Sequence, residues 1–228
     1  MTAVRPERAP TAHRSEASFR YGVVLAIVVV FLVLEVLSPD ADWSRALGIA
    51  LAGGALSFAL ATSRARAEVR RVRTITVAVF ATVVVIAVAA GLLSDAVTFV
   101  VGSVIVAAIP VALGGGLIRL INTEGVTLQA VAGALAIYLL IGLLFASAIG
   151  FVSAVESGSY FAQGQHVNNG DIVYYSFTVL TTTGFGDFTA AHPLGHALAV
   201  LEMLIGQLYL VTVIGILIGN FVGRRMKA

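Results

Sequence analysis

The chain has 228 residues, of which 59% are hydrophobic and only 11% are charged. A soluble domain of this size needs a more highly charged surface, so the composition indicates a membrane protein. The lack of cysteine excludes disulfide bonds, thiol catalysis and cysteine-ligated metals. The formal net charge is only +2, so the placement of the charges is more informative than their sum.

Six apolar stretches are long enough to cross a bilayer, which requires about 20 helical residues. They comprise residues 20–37, 46–62, 74–93, 97–118, 127–152 and 195–222. Because an open strand in lipid would leave backbone groups unpaired, these stretches predict an all-α membrane protein with six transmembrane helices. Residues 1–18 are polar, with Pro6 and Pro10, and are expected to form a disordered cytoplasmic tail.

The basic residues indicate how the spans are oriented. Nearly all of the 14 Lys and Arg residues lie in the N-terminal tail, in the loop after the second span, or just after the fourth and sixth spans. By the positive-inside rule both termini are cytoplasmic. Glu35, near the outer end of the first span, is expected to reach the membrane interface. The outer connections carry acids that either concentrate cations or are simply solvated: Asp40, Asp42, Asp95, Glu156, Asp171 and Asp187.

The connection between the fifth and sixth spans contains a second apolar stretch at 172–180, which is too short to cross the membrane. Residues 171–181 are predicted to form a short helix whose N-cap is Asn169, Gly170 or Asp171. Such a helix either enters the membrane, where protein or a water-filled cavity must surround it, or lies on the outer surface.

Directly after this helix, residues 182–187 read Thr-Thr-Gly-Phe-Gly-Asp. Stacked backbone carbonyls can replace the water shell of a dehydrated cation if successive peptides point the same way. Such a backbone alternates between right- and left-handed conformations, and Gly184 and Gly186 permit the left-handed ones. The Thr182 hydroxyl can add a further ring of oxygens. One chain supplies one strand of the ring, so a homotetramer is expected.

Residues 131–222 resemble the potassium-channel pore family, whose filter reads Thr-Val-Gly-Tyr-Gly-Asp. The first four apolar stretches predict a four-helix transmembrane domain at 19–125, and the resemblance implies a pore domain at 126–228. The pore domain would contain an outer helix (127–152), a pore helix (171–181), a filter (182–187) and an inner helix (195–222). Potassium ions in the filter are the only metal expected, with no cofactor and no enzymatic activity. The implied ion-coordinating carbonyls are those of Thr182, Thr183, Gly184 and Phe185, with Gly186 at the outer mouth.

The filter departs from the family pattern at two positions. Thr183 replaces the usual Val and adds a hydroxyl, and Phe185 replaces Tyr and lacks the phenolic hydroxyl that braces the filter elsewhere in the family. These departures suggest a filter that inactivates readily or admits some sodium. The residues expected to support the filter by resemblance are Tyr174, Tyr175, Thr178 and Asp187, of which Thr178 stands where some members of the family have Glu.

The inner helix contains candidate gate residues. Gly206 lies where the family has its hinge glycine, and it serves either bending or close helix packing. Helical spacing from Met203 places Gln207, Leu210 and Ile214 on one face, which is expected to line the cavity. Glu202 is expected to brace the pore helix through Ser176 or Thr178, because an ionised carboxylate facing lipid is costly.

The fourth span, 97–118, contains no Arg or Lys, so it lacks the charges that a voltage sensor moves through the membrane field. The leading interpretation is a potassium-selective channel in a bacterial plasma membrane, with lipid and monovalent cations as partners and no nucleic acid. Alternatives are a weakly selective cation channel, or the membrane subunit of a potassium uptake transporter, which usually has four filter loops in one chain. A membrane anchor with a vestigial filter is a further alternative.

Overall fold

The computed structural model describes residues 13–37, 47–54, 56, 67–92, 94–156, 158–164 and 167–225. Within these residues the helices are joined by turns and loops, and the strand-like pairing is limited to an isolated bridge between Phe161 and Ala190, which agrees with the predicted all-α fold. Residues 47–54 are helical. The other helices are His13–Leu37, Ala67–Ala89, Asp95–Glu124, the outer helix Leu128–Val155, the pore helix Asn169–Leu180, and the inner helix, which comprises Pro193–Tyr209 and Gly215–Arg225.

Three helical stretches in the described part of the chain are long and apolar enough to cross a membrane: Ala96–Asn122, Leu128–Val155 and Pro193–Gly219. They correspond to the fourth, fifth and sixth predicted spans. Shorter apolar stretches occur at Tyr21–Leu37 and Val77–Val88, within the first and third predicted spans. Much of the second predicted span lies outside the described residues, so the count of six spans stays a prediction.

The first helix begins at His13, within the stretch predicted to be a disordered tail. Pro10 is the last proline before it, and proline is the residue that most strongly prevents a helix from continuing. Arg14, Glu16 and Ala17 beyond this proline all have good helix propensity. The helix therefore includes residues 13–18, which corrects the predicted extent of the tail, while residues 1–12 lie outside the described residues.

The outer helix is the centre of the packing. Helix Asp95–Glu124, the first helix and the pore helix all pack against it, and the pore helix is in turn held between the outer and inner helices. Gly142 of the outer helix allows this close approach, because a Cβ at this position would lie 2.7 Å from the ring of Phe177. The core between these helices is apolar, with Leu140, Ile149 and Leu180 fully buried.

The inner helix begins at Pro193, two residues earlier than predicted. Proline is well suited to the first turn, where its missing N–H would have had no partner within the helix. The helix is regular to Tyr209, widens into a single π turn at Leu210–Ile214, and resumes as Gly215–Arg225. Turns of this type occur frequently at functional sites and change the direction in which later side chains point.

Candidate functional site

The pore helix is fixed at its start by a reciprocal pair of hydrogen bonds. The side chain of Asn168 accepts a hydrogen bond of 2.8 Å from the backbone N–H of Asp171, and the Asp171 carboxylate accepts one of 3.0 Å from the N–H of Asn168. This capping box satisfies two N–H groups that the helix itself leaves unpaired. The N-cap is therefore Asn168, one residue before the earliest position predicted, because Asp171 serves as the third helical residue instead of the cap.

The filter backbone adopts left-handed conformations at every second residue. The φ angles are 56° at Thr182, 53° at Gly184 and 82° at Gly186. The two glycines adopt these angles without steric cost, whereas Thr182 is the one non-glycine residue with positive φ in the described part of the chain. An alternation of this kind turns successive peptides in the same direction, which is what a stack of carbonyls requires.

Hydrogen bonds to the pore helix hold the first half of the filter. The N–H of Thr182 donates to the carbonyl of Val179 at 2.9 Å, and the N–H groups of Thr183 and Gly184 both donate to the carbonyl of Thr178, at 2.8 and 3.1 Å. These N–H groups therefore point back to the pore helix. The residues from Thr181 to Asp187 are exposed in the single chain, which leaves one side of the filter open.

Threonine hydroxyls form a second set of contacts around the filter. The hydroxyl oxygens of Thr181 and Thr183 lie 2.9 Å apart, and Thr181 also donates to the carbonyl of Phe177 at 2.7 Å. Since Thr181 has a single hydroxyl proton, Thr183 supplies the proton between the two. The extra hydroxyl of Thr183 thus joins the filter to the last turn of the pore helix.

Aromatic side chains support the outer half of the filter. The rings of Tyr174 and Phe185 are stacked, with centroids 6.3 Å apart and planes 2° from parallel. The Tyr174 hydroxyl donates to Asp187 at 2.8 Å, so Tyr174 contacts the filter segment at two positions. This hydrogen bond raises the pKa of the Tyr174 phenol above its ordinary value and keeps it a donor at neutral pH. Phe185 remains 70% exposed despite the stack.

Tyr175 and Thr178 lie on the buried side of the pore helix. The Tyr175 ring packs edge-on against Phe161, and Phe161 in turn packs against Phe188 just beyond the filter. The Thr178 hydroxyl donates to the carbonyl of Tyr175 within its own helix. Thr178 therefore supports the filter through its backbone carbonyl, a role that its residue type does not reveal.

Gly206 and Gln207 of the inner helix contact the base of the filter. A Cβ at Gly206 would lie 2.5 Å from the carbonyl oxygen of Leu180, the last residue of the pore helix. The amide nitrogen of Gln207 donates to the Thr182 hydroxyl at 3.0 Å. Close packing thus supplies a physical reason for glycine at position 206, independent of any hinge.

Leu210 and Ile214 do not share the surroundings of Gln207. Ile214 is 8% exposed and belongs to a small core with Leu117, Ala130 and Ala134. The sequence interpretation, which assumed regular helical spacing from Met203, placed Ile214 on the cavity face. The π turn adds a residue to the turn and rotates Ile214 toward the outer helix, and Leu210 is partly buried against the same cluster.

Glu202 is a fully buried residue of the inner helix, with 0% exposure. Its Oε1 lies 2.6 Å from the hydroxyl of Ser176 on the pore helix, and that hydroxyl also lies 2.8 Å from the carbonyl oxygen of Gly142 on the outer helix. Of the two partners predicted for Glu202, Ser176 is confirmed. The Thr178 hydroxyl instead donates to the carbonyl of Tyr175. The Ser176 side chain thus connects the pore helix to both the inner and the outer helix.

Glu35 of the first helix contacts the start of the pore helix, and the expectation that it reaches the membrane interface stays a prediction. The Asn169 side-chain amide donates to Glu35 Oε2 at 2.5 Å. A carboxylate at a helix N-terminus is favoured by the exposed N–H groups and by the helix dipole. Sequence reasoning missed this pair, which lies 134 residues apart in the chain. A helix between two spans often has unpaired N–H groups at its start, and an acid in an apolar span could have been considered as their partner.

A short helix, a following segment with alternating backbone handedness and a membrane-length helix on each side together have the arrangement expected of a channel pore. The family model described as "Ion channel" matches residues 134–222, which include the pore helix, the segment after it and most of the outer and inner helices. This segment is therefore similar to an ion-channel family, and the match supports the potassium-channel pore family that the sequence resembles. Comparison with curated proteins and with solved structures finds no match.

The ion-channel match and the long apolar helices support three general conclusions. The chain is a membrane protein with an ion-channel domain, ions are its expected permeants, and the family is generally non-enzymatic. Among the described residues there is no cluster of three or more His, Asp or Glu side chains that could hold a metal ion.

Proposed function

We propose that the chain is the subunit of a homotetrameric, potassium-selective channel that conducts potassium passively across a bacterial plasma membrane. The proposal rests on the filter backbone, in which Thr182, Gly184 and Gly186 are left-handed at alternate positions. The N–H groups of its first half are hydrogen-bonded to the pore helix. The carbonyls that remain can replace the water shell of potassium, with coordination by residues 182–185 and Gly186 at the outer mouth.

Exposure within the single chain supports assembly into a tetramer. The filter is open on one side, and only 17% of the most apolar part of the inner helix is buried, compared with 50% for the outer helix. Copies arranged around an axis would bring the four filters together and cover part of the exposed inner helix. The last turn of the pore helix, with its partial negative charge, would then face the central cavity and favour a cation there.

The gate of the proposed channel is assigned to the inner helix below the filter. Gly206 packs against Leu180, whereas the π turn at Leu210–Ile214 is the place where the helix departs from regular geometry. Bending at this turn would move the cytoplasmic half of the helix without disturbing the contact beneath the filter. A conventional voltage sensor is not part of the proposal, because residues 97–118 contain no Arg or Lys.

A weakly selective cation channel is the second candidate, favoured by the side chains of the filter. Thr183 uses its hydroxyl to contact Thr181, and Phe185 has no hydroxyl with which to bond the pore helix. Both features change how firmly the filter keeps its diameter. Reversal potentials in mixed potassium and sodium distinguish the two candidates, since a permeability ratio near unity removes potassium selectivity.

The test of the proposed function is potassium flux through purified protein in liposomes under a potassium gradient, with barium as the blocker. A folded tetramer is expected to give a barium-sensitive potassium flux that exceeds the sodium flux. The oligomeric state is measured on the same sample by size-exclusion chromatography with light scattering. A folded tetramer without potassium flux contradicts the proposal, and a folded monomer contradicts the assembly on which it depends.

A further inference from the structure

The proton count around Ser176 determines the protonation state of Glu202. The Ser176 hydroxyl has one proton, but its oxygen lies within hydrogen-bond distance of two oxygens, the Gly142 carbonyl at 2.8 Å and Glu202 Oε1 at 2.6 Å. The carbonyl can only accept. Each contact is a full two-centre hydrogen bond only if Ser176 donates to Gly142 and the Glu202 carboxyl donates to Ser176. Glu202 must then be a neutral carboxylic acid.

Among the residues that the structure describes, no opposite charge near Glu202 favours its ionised form. The ionisable groups near it on the other elements are the phenols of Tyr138 on the outer helix, Tyr175 on the pore helix and Tyr160 in the outer loop. Phenols are uncharged at neutral pH. The second oxygen, Oε2, is buried and has no hydrogen-bond partner among the described residues. A neutral acid tolerates this environment far better than a carboxylate does.

We infer that Glu202 is the neutral donor at the start of a hydrogen-bond chain that runs from the inner helix through Ser176 to the outer helix, and that this chain holds the filter in its conducting form. Loss of the proton leaves Ser176 between two acceptors, so one of its two hydrogen bonds must break. The Ser176 hydroxyl then connects the pore helix to either the inner or the outer helix, but not to both. Glu202 is thus a positioning residue, and it makes conduction sensitive to alkaline pH.

The connection from Ser176 to the filter is short. Two residues further along the pore helix, the Thr178 carbonyl accepts hydrogen bonds from the N–H groups of Thr183 and Gly184. Four residues after Glu202 in the inner helix, Gly206 packs against the end of the same pore helix. A shift of the pore helix relative to either neighbour therefore changes the position of the carbonyls that coordinate the ion.

The inference rests on the proposed potassium conduction, and its test compares pH profiles of four proteins in liposomes. The wild type is expected to lose flux and potassium selectivity several-fold as the pH rises into the alkaline range. Glu202→Gln keeps a neutral donor and is expected to conduct at neutral pH without that loss. Glu202→Ala removes the donor and is expected to be poorly selective at every pH. Asp95→Asn, the same acid-to-amide change outside the pore segment, is expected to retain the wild-type profile.

Infrared difference spectroscopy supplies a readout that does not depend on flux. The wild-type tetramer at neutral pH is expected to show the C=O band of a protonated carboxyl group that Glu202→Gln lacks and Asp95→Asn retains. If this band is missing, or if Glu202→Gln keeps the alkaline loss of the wild type, the inference is overturned. A wild-type tetramer that conducts no potassium at any pH contradicts the proposed function instead, and the infrared band still decides whether Glu202 is neutral.

Discussion

Gly206 of the inner helix packs directly against the carbonyl of Leu180, the residue at which the pore helix ends and the filter segment begins. A Cβ added at position 206 would lie 2.5 Å from the Leu180 oxygen and 2.9 Å from its Cδ1. Backbone atoms cannot rotate away as a flexible side chain can, so any side chain here must separate the two helices. The contact explains why a glycine, which weakens a helix interior, occurs in this span.

Gly206→Ala is expected to destabilise the folded tetramer by about 1–3 kcal/mol, the usual cost of overpacking. Potassium flux should fall as well, because Leu180 lies directly before the filter. Gly115→Ala is the control, since Gly115 lies in a helix with open space around its Cβ position. Thermal unfolding and liposome flux measure both effects. Wild-type values for Gly206→Ala would show that the helices do not pack as described.

Gly184→Ala tests whether the left-handed filter backbone matters for conduction. An Ala in the left-handed conformation costs about 1–2 kcal/mol. Gly164 in the outer loop is a matched control, because its φ of 63° is close to the 53° of Gly184 and neither has an atom within 4 Å of its Cβ position. The two variants should lose similar stability, but only Gly184→Ala should lose potassium flux. Equal flux in both variants would contradict the filter assignment.

Tyr174→Phe is expected to speed the decay of potassium current. The substitution removes the hydroxyl that donates to Asp187 and keeps the ring that stacks on Phe185. Tyr160→Phe is the matched control, because the buried Tyr160 hydroxyl has no hydrogen-bond partner among the described residues. Its loss should leave the current unchanged and stability equal or slightly higher. Decay time constants in planar bilayers compare the two, and equal decay in both variants argues against a role for the Asp187 contact.

Glu35 and Asn169 are expected to couple the first helix to the pore helix. A hydrogen bond to a charged group contributes about 1.5–3 kcal/mol. A double-mutant cycle with Glu35→Ala and Asn169→Ala should therefore give a coupling energy of about 1 kcal/mol or more in thermal unfolding. Additive effects of the two substitutions would mean that the side chains act independently. Sensitivity of filter inactivation to Glu35→Ala would further indicate that the N-terminal helices influence the pore.

The filter shows which backbone features can be predicted from residue type alone. Gly184 and Gly186 were predicted to be left-handed from residue type alone, and both are, because glycine conformation depends mainly on the residue itself. Thr182 was not predicted to be left-handed, since a β-branched residue disfavours that conformation, and hydrogen bonds from the filter to Val179 and Thr178 stabilise it. The pattern of alternation was evident from the sequence, but its extent was not.

Side-chain partners across helices were harder to predict. Glu202 had two candidate partners, and the orientation of the pore helix places Ser176 within hydrogen-bond distance of it. Ile214 was placed on the wrong face because one π turn changes the angle of every later residue in the helix. Glu35 was expected at the interface, and the hydrogen bond that it accepts from the Asn169 side-chain amide was not predicted. The partners of Glu202 and Glu35 depend on how distant segments are oriented, which helical periodicity within one segment does not show. The position of Ile214 depends on a local departure from that periodicity.

The sequence by itself therefore determined the membrane class, the position of the short helix between the fifth and sixth predicted spans and the two left-handed glycines of the predicted filter, because span length and glycine conformation are local properties. Only the tertiary structure decided what holds that filter in place. The Thr178 carbonyl, the Ser176 hydroxyl, the close approach at Gly206 and the contact with the first helix all arise where separate helices meet. Their geometry follows from packing among the helices. The filter is the most recognisable part of the sequence, and its shape depends on that packing.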